Sequence, residues 1–163
     1  MPAKWFEEQP SNRNFLAPSG FKISLELFPG VDFFCQQASI PDISVGFTEV
    51  STPFRGVPIA SAGGITYGDL RLKFIIDEDL HNYQTIFKWI EKNNLAREYS
   101  DSGIEYSKGE LLILNSNMKR NRIVYFTDLF PVSLTGVDFD VADRDVDYLT
   151  ADVTLKFKEF KFN

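Results

Sequence analysis

One cysteine and one histidine are all that 163 residues supply of the two side chains most used to hold zinc or to run nucleophilic chemistry. Cys35 has no partner for an internal disulfide, so the chain carries no sign of an oxidising compartment. A His/Cys zinc site within one chain is excluded on the same ground. No apolar run is long enough to cross a bilayer, and Met1 to Glu8 lacks the apolar core of a signal peptide. These absences lead to the expectation of a soluble product that folds in the cytoplasm where it is made. An excess of basic charge is missing too. Against 17 Lys and Arg stand 23 Asp and Glu, a net charge of −6, whereas a protein that grips nucleic acid presents a basic patch to neutralise phosphates. The densest basic run, Lys119-Arg120-Asn121-Arg122, lies between two apolar stretches and reads as a polar hairpin tip. Internal repeats, low-complexity tracts and linkers are also lacking, so residues 1–163 read as one domain.

What is abundant is phenylalanine. Sixteen Phe lift the aromatic content to 15%, a bias towards strands and large buried contacts. Residues 1–19, broken by Pro10 and Pro18, read as an irregular arm whose Trp5, Phe6 and Phe15 need a surface to dock on. Alternation predicts a strand from Phe21 to Leu27 and a second from Val31 to Ala38, joined at Pro29-Gly30 as a hairpin. Residues 42–64 are apolar yet interrupted by Pro53, Gly56, Pro58, Gly63 and Gly64, an extended connection of the kind that carries function. Leu70 to Ile76 alternates as a further strand. A helix follows over residues 79–93, with Leu80, Tyr83, Phe87 and Ile90 as its apolar stripe, widened by Ile86. Leu111–Leu114 and Ile123–Phe126 flank a hairpin, and Val132–Val141 with Leu149–Phe160 make the last strand pair. Seven or eight strands and one helix predict an α+β domain, mostly β: an antiparallel sandwich or barrel with one flanking helix.

The residues that could carry chemistry read more simply as structure. His81 stands alone in the first helical turn, and Cys35 reads as a buried free thiol. Asp77-Glu78-Asp79 suits the start of the helix. Asp138, Asp140, Asp143, Asp145 and Asp147 resemble a calcium loop only superficially, because Ala142 takes a ligand position and the closing Glu is missing. Gly63-Gly64 fits no phosphate-binding pattern. No catalytic residue, metal ligand or cofactor is assigned.

An ordered series of segments resembles one family. Phe33-Phe34-Cys35-Gln36-Gln37-Ala38 with Pro41 is followed by Thr52-Pro53-Phe54-Arg55-Gly56-Val57-Pro58-Ile59. Gly63, Tyr67 and the strand Leu70–Ile76 come next, then the acidic triplet, Phe87-x-Trp89, Leu129-Phe130-Pro131 and the closing strand Leu149–Phe157. Together these are similar to the tail tube proteins of contractile-tailed bacteriophages. The resemblance implies a small β-sandwich with a flanking helix, forming hexameric rings that stack into a tube inside the contractile sheath. The implied partners are copies of itself, the sheath protein outside, baseplate and tube-terminator proteins at the ends, and DNA in transient, non-specific passage, with no stable membrane insertion. The place would be the virion tail, assembled in the host cytoplasm.

On this reading the segment 42–64, and residues 46 to 62 in particular, resembles the extended hairpin that joins one ring to the next. Its contact residues would be Phe47, Thr52, Pro53, Phe54, Arg55, Val57, Pro58 and Ile59. The arm residues Trp5, Phe6 and Phe15 would be covered by neighbours. The five aspartates from Asp138 to Asp147 are candidates for an acidic channel wall that repels DNA. Alternatives are a tube-initiator or baseplate hub subunit, the tube of a related contractile injection system, and, in another class, a monomeric β-sandwich ligand-binding module. An enzyme ranks third and would need a cleft with convergent polar groups.

Overall fold

Leu70, Leu72 and Phe74 are almost wholly buried while Arg71 between them is exposed, the period-two pattern of a strand with one face on a core. The computed structural model describes residues 14–29, 34–94, 103–140 and 148–163, and the backbone alone of 61–63. Its elements in chain order are β1 (Phe21–Leu25), β2 (Cys35–Ala38), β3 (Ile43–Ser51), β4 (Gly56–Tyr67), β5 (Leu70–Ile75), α1 (His81–Asn94), β6 (Ser107–Leu114), β7 (Arg120–Leu134), β8 (Thr150–Lys156) and β9 (Glu159–Phe162). Seven strands form one antiparallel sheet in the order β1-β6-β7-β8-β5-β2, with β9 added beside β7. β3 and β4 form a separate two-stranded sheet. The mostly β fold with a flanking helix agrees with the sequence reading.

The sheet folds on itself along β7. The register of β7 with β9 runs on into its register with β8: Thr127 faces Glu159 and Phe130 faces Lys156. β8 and β9 are thus one strand broken at Phe157-Lys158, opposite Asp128, whose φ of 53° marks the matching kink in β7. Aspartate is among the few non-glycine residues that take this left-handed conformation at modest cost. At the corner Phe126, Phe157 and Phe160 pack together, with Phe126 and Phe157 ring centroids 5.2 Å apart. The core lies between the two halves. Ile23, Leu25, Leu111, Val124, Phe126 and Phe160 come from one half, and Leu70, Leu72, Phe74, Ala151, Val153 and Leu155 from the other.

Helix α1 closes this core with Ile86 and Trp89. Its start is set by Asp77 and Asn82, which bond reciprocally: the Asn82 amide N–H donates to Asp77 Oδ1 (3.3 Å) and the Asp77 N–H to Asn82 Oδ1 (3.4 Å). Buried Asn82 also donates from Nδ2 to the Ile75 carbonyl at 2.8 Å, tying the helix to the end of β5. The acidic triplet therefore serves the helix start through Asp77.

Four expectations need correction. β1 and β2 are not a hairpin: β1 pairs with β6 and β2 with β5. Alternation fixes which face a strand buries and says nothing about its neighbour. Phe87 is half exposed, and the buried helical face runs through Asn82, Ile86 and Trp89 instead. Trp89 wins that position because its indole N–H reaches the Glu105 carbonyl (2.8 Å) while its ring packs on Phe28. The strands expected at 123–126 and 132–141 are the single strand β7, which ends at Leu134. Cys35 is only half buried, because β2 is an edge strand.

Candidate functional site

The segment read as a broken, extended connection and likened to an extended hairpin is a β-ribbon. Ile43, Ser44 and Val45 pair with Tyr67, Thr66 and Ile65, and after an irregularity at Gly46 the pairing resumes from Phe47 opposite Ala60 to Ser51 opposite Gly56. Pro58 is tolerated because β4 has a partner on one side only. The tip, Thr52 to Arg55, is a tight turn with Pro53 at its second position. The Thr52 hydroxyl donates to the Arg55 carbonyl (2.6 Å), and the Arg55 N–H donates back to the same oxygen (3.2 Å).

At its base the ribbon is anchored firmly. Tyr67 packs edge-on to Phe160 with centroids 5.4 Å apart, joining the aromatic corner. The Gly68 N–H donates to the Asp42 carbonyl at 2.9 Å, and a Cβ at position 68 would fall on the Asp42 carboxylate. Beyond that base the ribbon has no extensive packing partner among the described residues. Every residue of β3 is exposed, and neither β3 nor β4 packs extensively against any element but the other.

Residues directly opposite in an antiparallel pair share a face. Beyond the irregularity Thr48, Ile59, Val50 and Val57 therefore lie on one face, with Phe47, Ala60, Glu49 and Pro58 on the other. Both faces carry apolar side chains, and water meets both: Phe47, Val50 and Ile59 are 65%, 46% and 52% exposed, and Phe54 at the tip is 97% exposed. A lone two-stranded ribbon is marginal in water, and a contiguous apolar patch marks an interaction surface. The eight ribbon residues singled out in the sequence thus fall on one projection. Of the arm residues, Phe15 is almost fully exposed, while Trp5 and Phe6 lie outside the described residues. Asp138 and Asp140 are exposed beyond β7; Asp143, Asp145 and Asp147 lie outside the described residues.

The sheet adds a second feature. Among the described residues β1 pairs only with β6 and β2 only with β5, so these two are the terminal strands of the sheet. No group of three or more His, Cys, Asp or Glu is placed to hold a metal ion among the described residues, and no described helix is long and apolar enough to span a membrane.

A family model, phage tail tube protein, matches residues 9–163. The chain belongs to the phage tail tube protein family. It is a family of structural proteins, and the non-enzymatic reading rests on that membership. No curated protein matches the sequence. Among solved structures, a chain of the sheath–tube complex of an extracellular contractile injection system, PVC, in its extended state is similar with a TM-score of 0.68 and 18% identity, covering 93% of each chain. A chain of the anti-feeding prophage tube-terminating cap gives a TM-score of 0.69 at 15% identity, over 100% of this chain and 99% of that one. Hcp1 from Flavobacterium johnsoniae gives 0.54 at 13% identity, over 91% and 94%. At these identities the likeness is one of fold. For this tail tube family member, sequence reading did not identify β1 and β2 as the terminal strands of the sheet, since that follows from strand order.

Proposed function

We propose that this tail tube family member forms hexameric rings that stack into the inner tube of a contractile tail, a conduit for DNA during ejection. The observation that carries this reading is the β3–β4 ribbon, whose two apolar faces have no cover among the described residues. Such a ribbon becomes stable when a second copy buries it, and a head-to-tail contact of this kind propagates into a stack. The inter-ring residues are Phe47, Thr52, Pro53, Phe54, Arg55, Val57, Pro58 and Ile59. The terminal position of β1 and β2 in the sheet is consistent with lateral closure of neighbouring sheets around a lumen. The exposed Phe15 and Phe162 gain cover from neighbours in the same assembly, as Trp5 and Phe6 would. The sheath lies outside the tube, baseplate and terminator proteins meet its ends, and the particle is a virion assembled in the host cytoplasm.

The acidic residues from Asp138 to Asp147 face the channel in this reading, so that DNA slides past a repelling wall. A reconstruction of the tube with these residues on its outer surface refutes that assignment. The structural neighbours support a second reading within the same class, the tube of a contractile injection system other than a phage tail. Replacing Phe54 with Asp tests the central claim. The variant should keep the wild-type circular dichroism spectrum and sediment as a small species, while the wild type forms tubes visible by negative stain. Normal tubes from the variant would falsify the ribbon as the joint. A wild type that stays monomeric at high concentration favours the ligand-binding module.

A further inference from the structure

The base of the ribbon and an apolar groove of the body lie at opposite ends of one strand. The ribbon returns at Tyr67, and β5 begins three residues later at Leu70. At the other end of β5, Ile75 faces Thr150, and a groove of about 660 Å³ opens there between the start of α1 and the approach to β8. Its walls are Ile76, Leu80, Phe139, Tyr148 and Leu149, with the carboxylates of Asp77 and Glu78 at its margin. Phe139 and Tyr148 are 75% and 59% exposed, so the groove lacks cover from the described residues. The Asp77 carboxylate is already engaged by the Asn82 N–H, whereas Glu78 is exposed.

The tip has the complementary chemistry. Phe54 projects fully into solvent, and the adjacent Arg55 makes no ion pair among the described residues; only its backbone is held, by Thr52. We propose that Phe54 of one copy inserts into this groove of the next copy, with Arg55 paired to Glu78 at its rim. The apolar walls take the phenyl ring, and the acidic margin orients the tip through the guanidinium. Knob and groove are different surfaces of the chain, so the contact is heterologous, and stacked copies would repeat it along one axis. The inference rests on the tube reading and names the surface that receives the ribbon.

Charge reversal separates the two ideas. Arg55→Glu and Glu78→Arg each alter an exposed side chain, so both variants should fold normally by circular dichroism. Each should lower the assembled fraction in sedimentation at least tenfold, and the double variant should recover it to within about twofold. For direct placement, Arg55→Lys tubes are treated with a zero-length carbodiimide and digested for mass spectrometry. An intermolecular amide between position 55 and Glu78 is the expected product. Tubes that form normally in both single variants, a double variant that stays unassembled, or a position 55 coupled only to other carboxylates overturns the docking site and leaves the tube reading standing. A wild-type chain that never assembles overturns both.

Discussion

Val153 and Val50 each sit inside a strand of an antiparallel pair, yet Val153 is 2% exposed and Val50 46%. Val153 belongs to the buried core, with Leu70, Leu72, Phe74 and Leu155 of its own half of the sheet as buried company. Around Val50 there is the ribbon partner Val57 and then water. The core of the body buries its hydrophobic residues within one chain; the ribbon's own stay exposed. Apolar burial is worth about 25 cal/mol per Å² whichever copy supplies the cover, so uncovered area of this kind is free energy held back for association. Substitutions in the body should therefore act on folding, and substitutions in the ribbon on assembly. Stability in each case is best measured by denaturant unfolding in the Phe54→Asp background, where polymerisation does not interfere.

The largest effect is expected at the corner. Phe126 is 1% exposed and contacts Phe157 and Phe160 where β7 changes partners. Phe126→Ala should cost about 3–5 kcal/mol, shown by a lower denaturant midpoint at an unchanged slope. A loss below 1 kcal/mol would mean that the corner is not part of the cooperative core. Asn82→Ala comes next. It removes the acceptor for the Asp77 and Tyr83 N–H groups and the donor to the Ile75 carbonyl, in a position 2% exposed. The expected cost is about 1–3 kcal/mol, with α1 amides losing hydrogen-exchange protection before those of the sheet.

These two sites differ in how openly the sequence announced them. Alternation from Leu70 to Phe74 and from Ala151 to Leu155 marked the buried face correctly, because a period of two is a property of one strand by itself. Asn82 gave no signal: a polar residue in a first helical turn reads as solvent-facing until its partners across 5 and 7 residues are known. The pairing of β1 with β6 was hidden for a related reason, since Ile23 finds Leu111 across most of the chain. In the ribbon, Pro53, Pro58 and the glycines suggested a broken connection, whereas Gly56 and Pro58 are paired, Pro53 makes the turn, and the register breaks only where residues 61–64 stand across from Gly46. The apolar character of Phe47, Phe54 and Ile59 was legible. Their exposure was not, because composition does not say which residues find cover within the chain.

The base of the ribbon should give a smaller effect. Asp69 Oδ1 is buried, and its partner is Lys156 Nζ at 2.6 Å. The lysine is half exposed, so solvent screens the pair, and Lys156→Met should cost only about 1 kcal/mol. If this pair also fixes the direction in which the ribbon leaves the body, the variant should assemble more slowly by light scattering. Unchanged stability together with unchanged assembly would show the pair to be ornamental.

The smallest folding effect is expected from a substitution chosen to act differently in the two regions. Valine to threonine preserves shape and exchanges a methyl for a hydroxyl. At Val153 that hydroxyl enters a space walled by aliphatic side chains, and leaving it without a partner should cost about 1–3 kcal/mol. At Val50 the hydroxyl stays in water in the free chain, so Val50→Thr should change folding stability by less than about 0.5 kcal/mol. In the stack the order reverses. Val50 lies on the face shared with Thr48, Ile59 and Val57, and once a second copy covers that face the new hydroxyl is buried there. The critical concentration for tube formation should rise severalfold for Val50→Thr while its unfolding midpoint stays put. Val153→Thr should shift the midpoint and leave assembly of the folded chain unchanged. Should Val50→Thr destabilise the free chain as much as Val153→Thr does, the ribbon is already covered in the monomer, and the division between a self-sufficient body and a ribbon awaiting its neighbour fails.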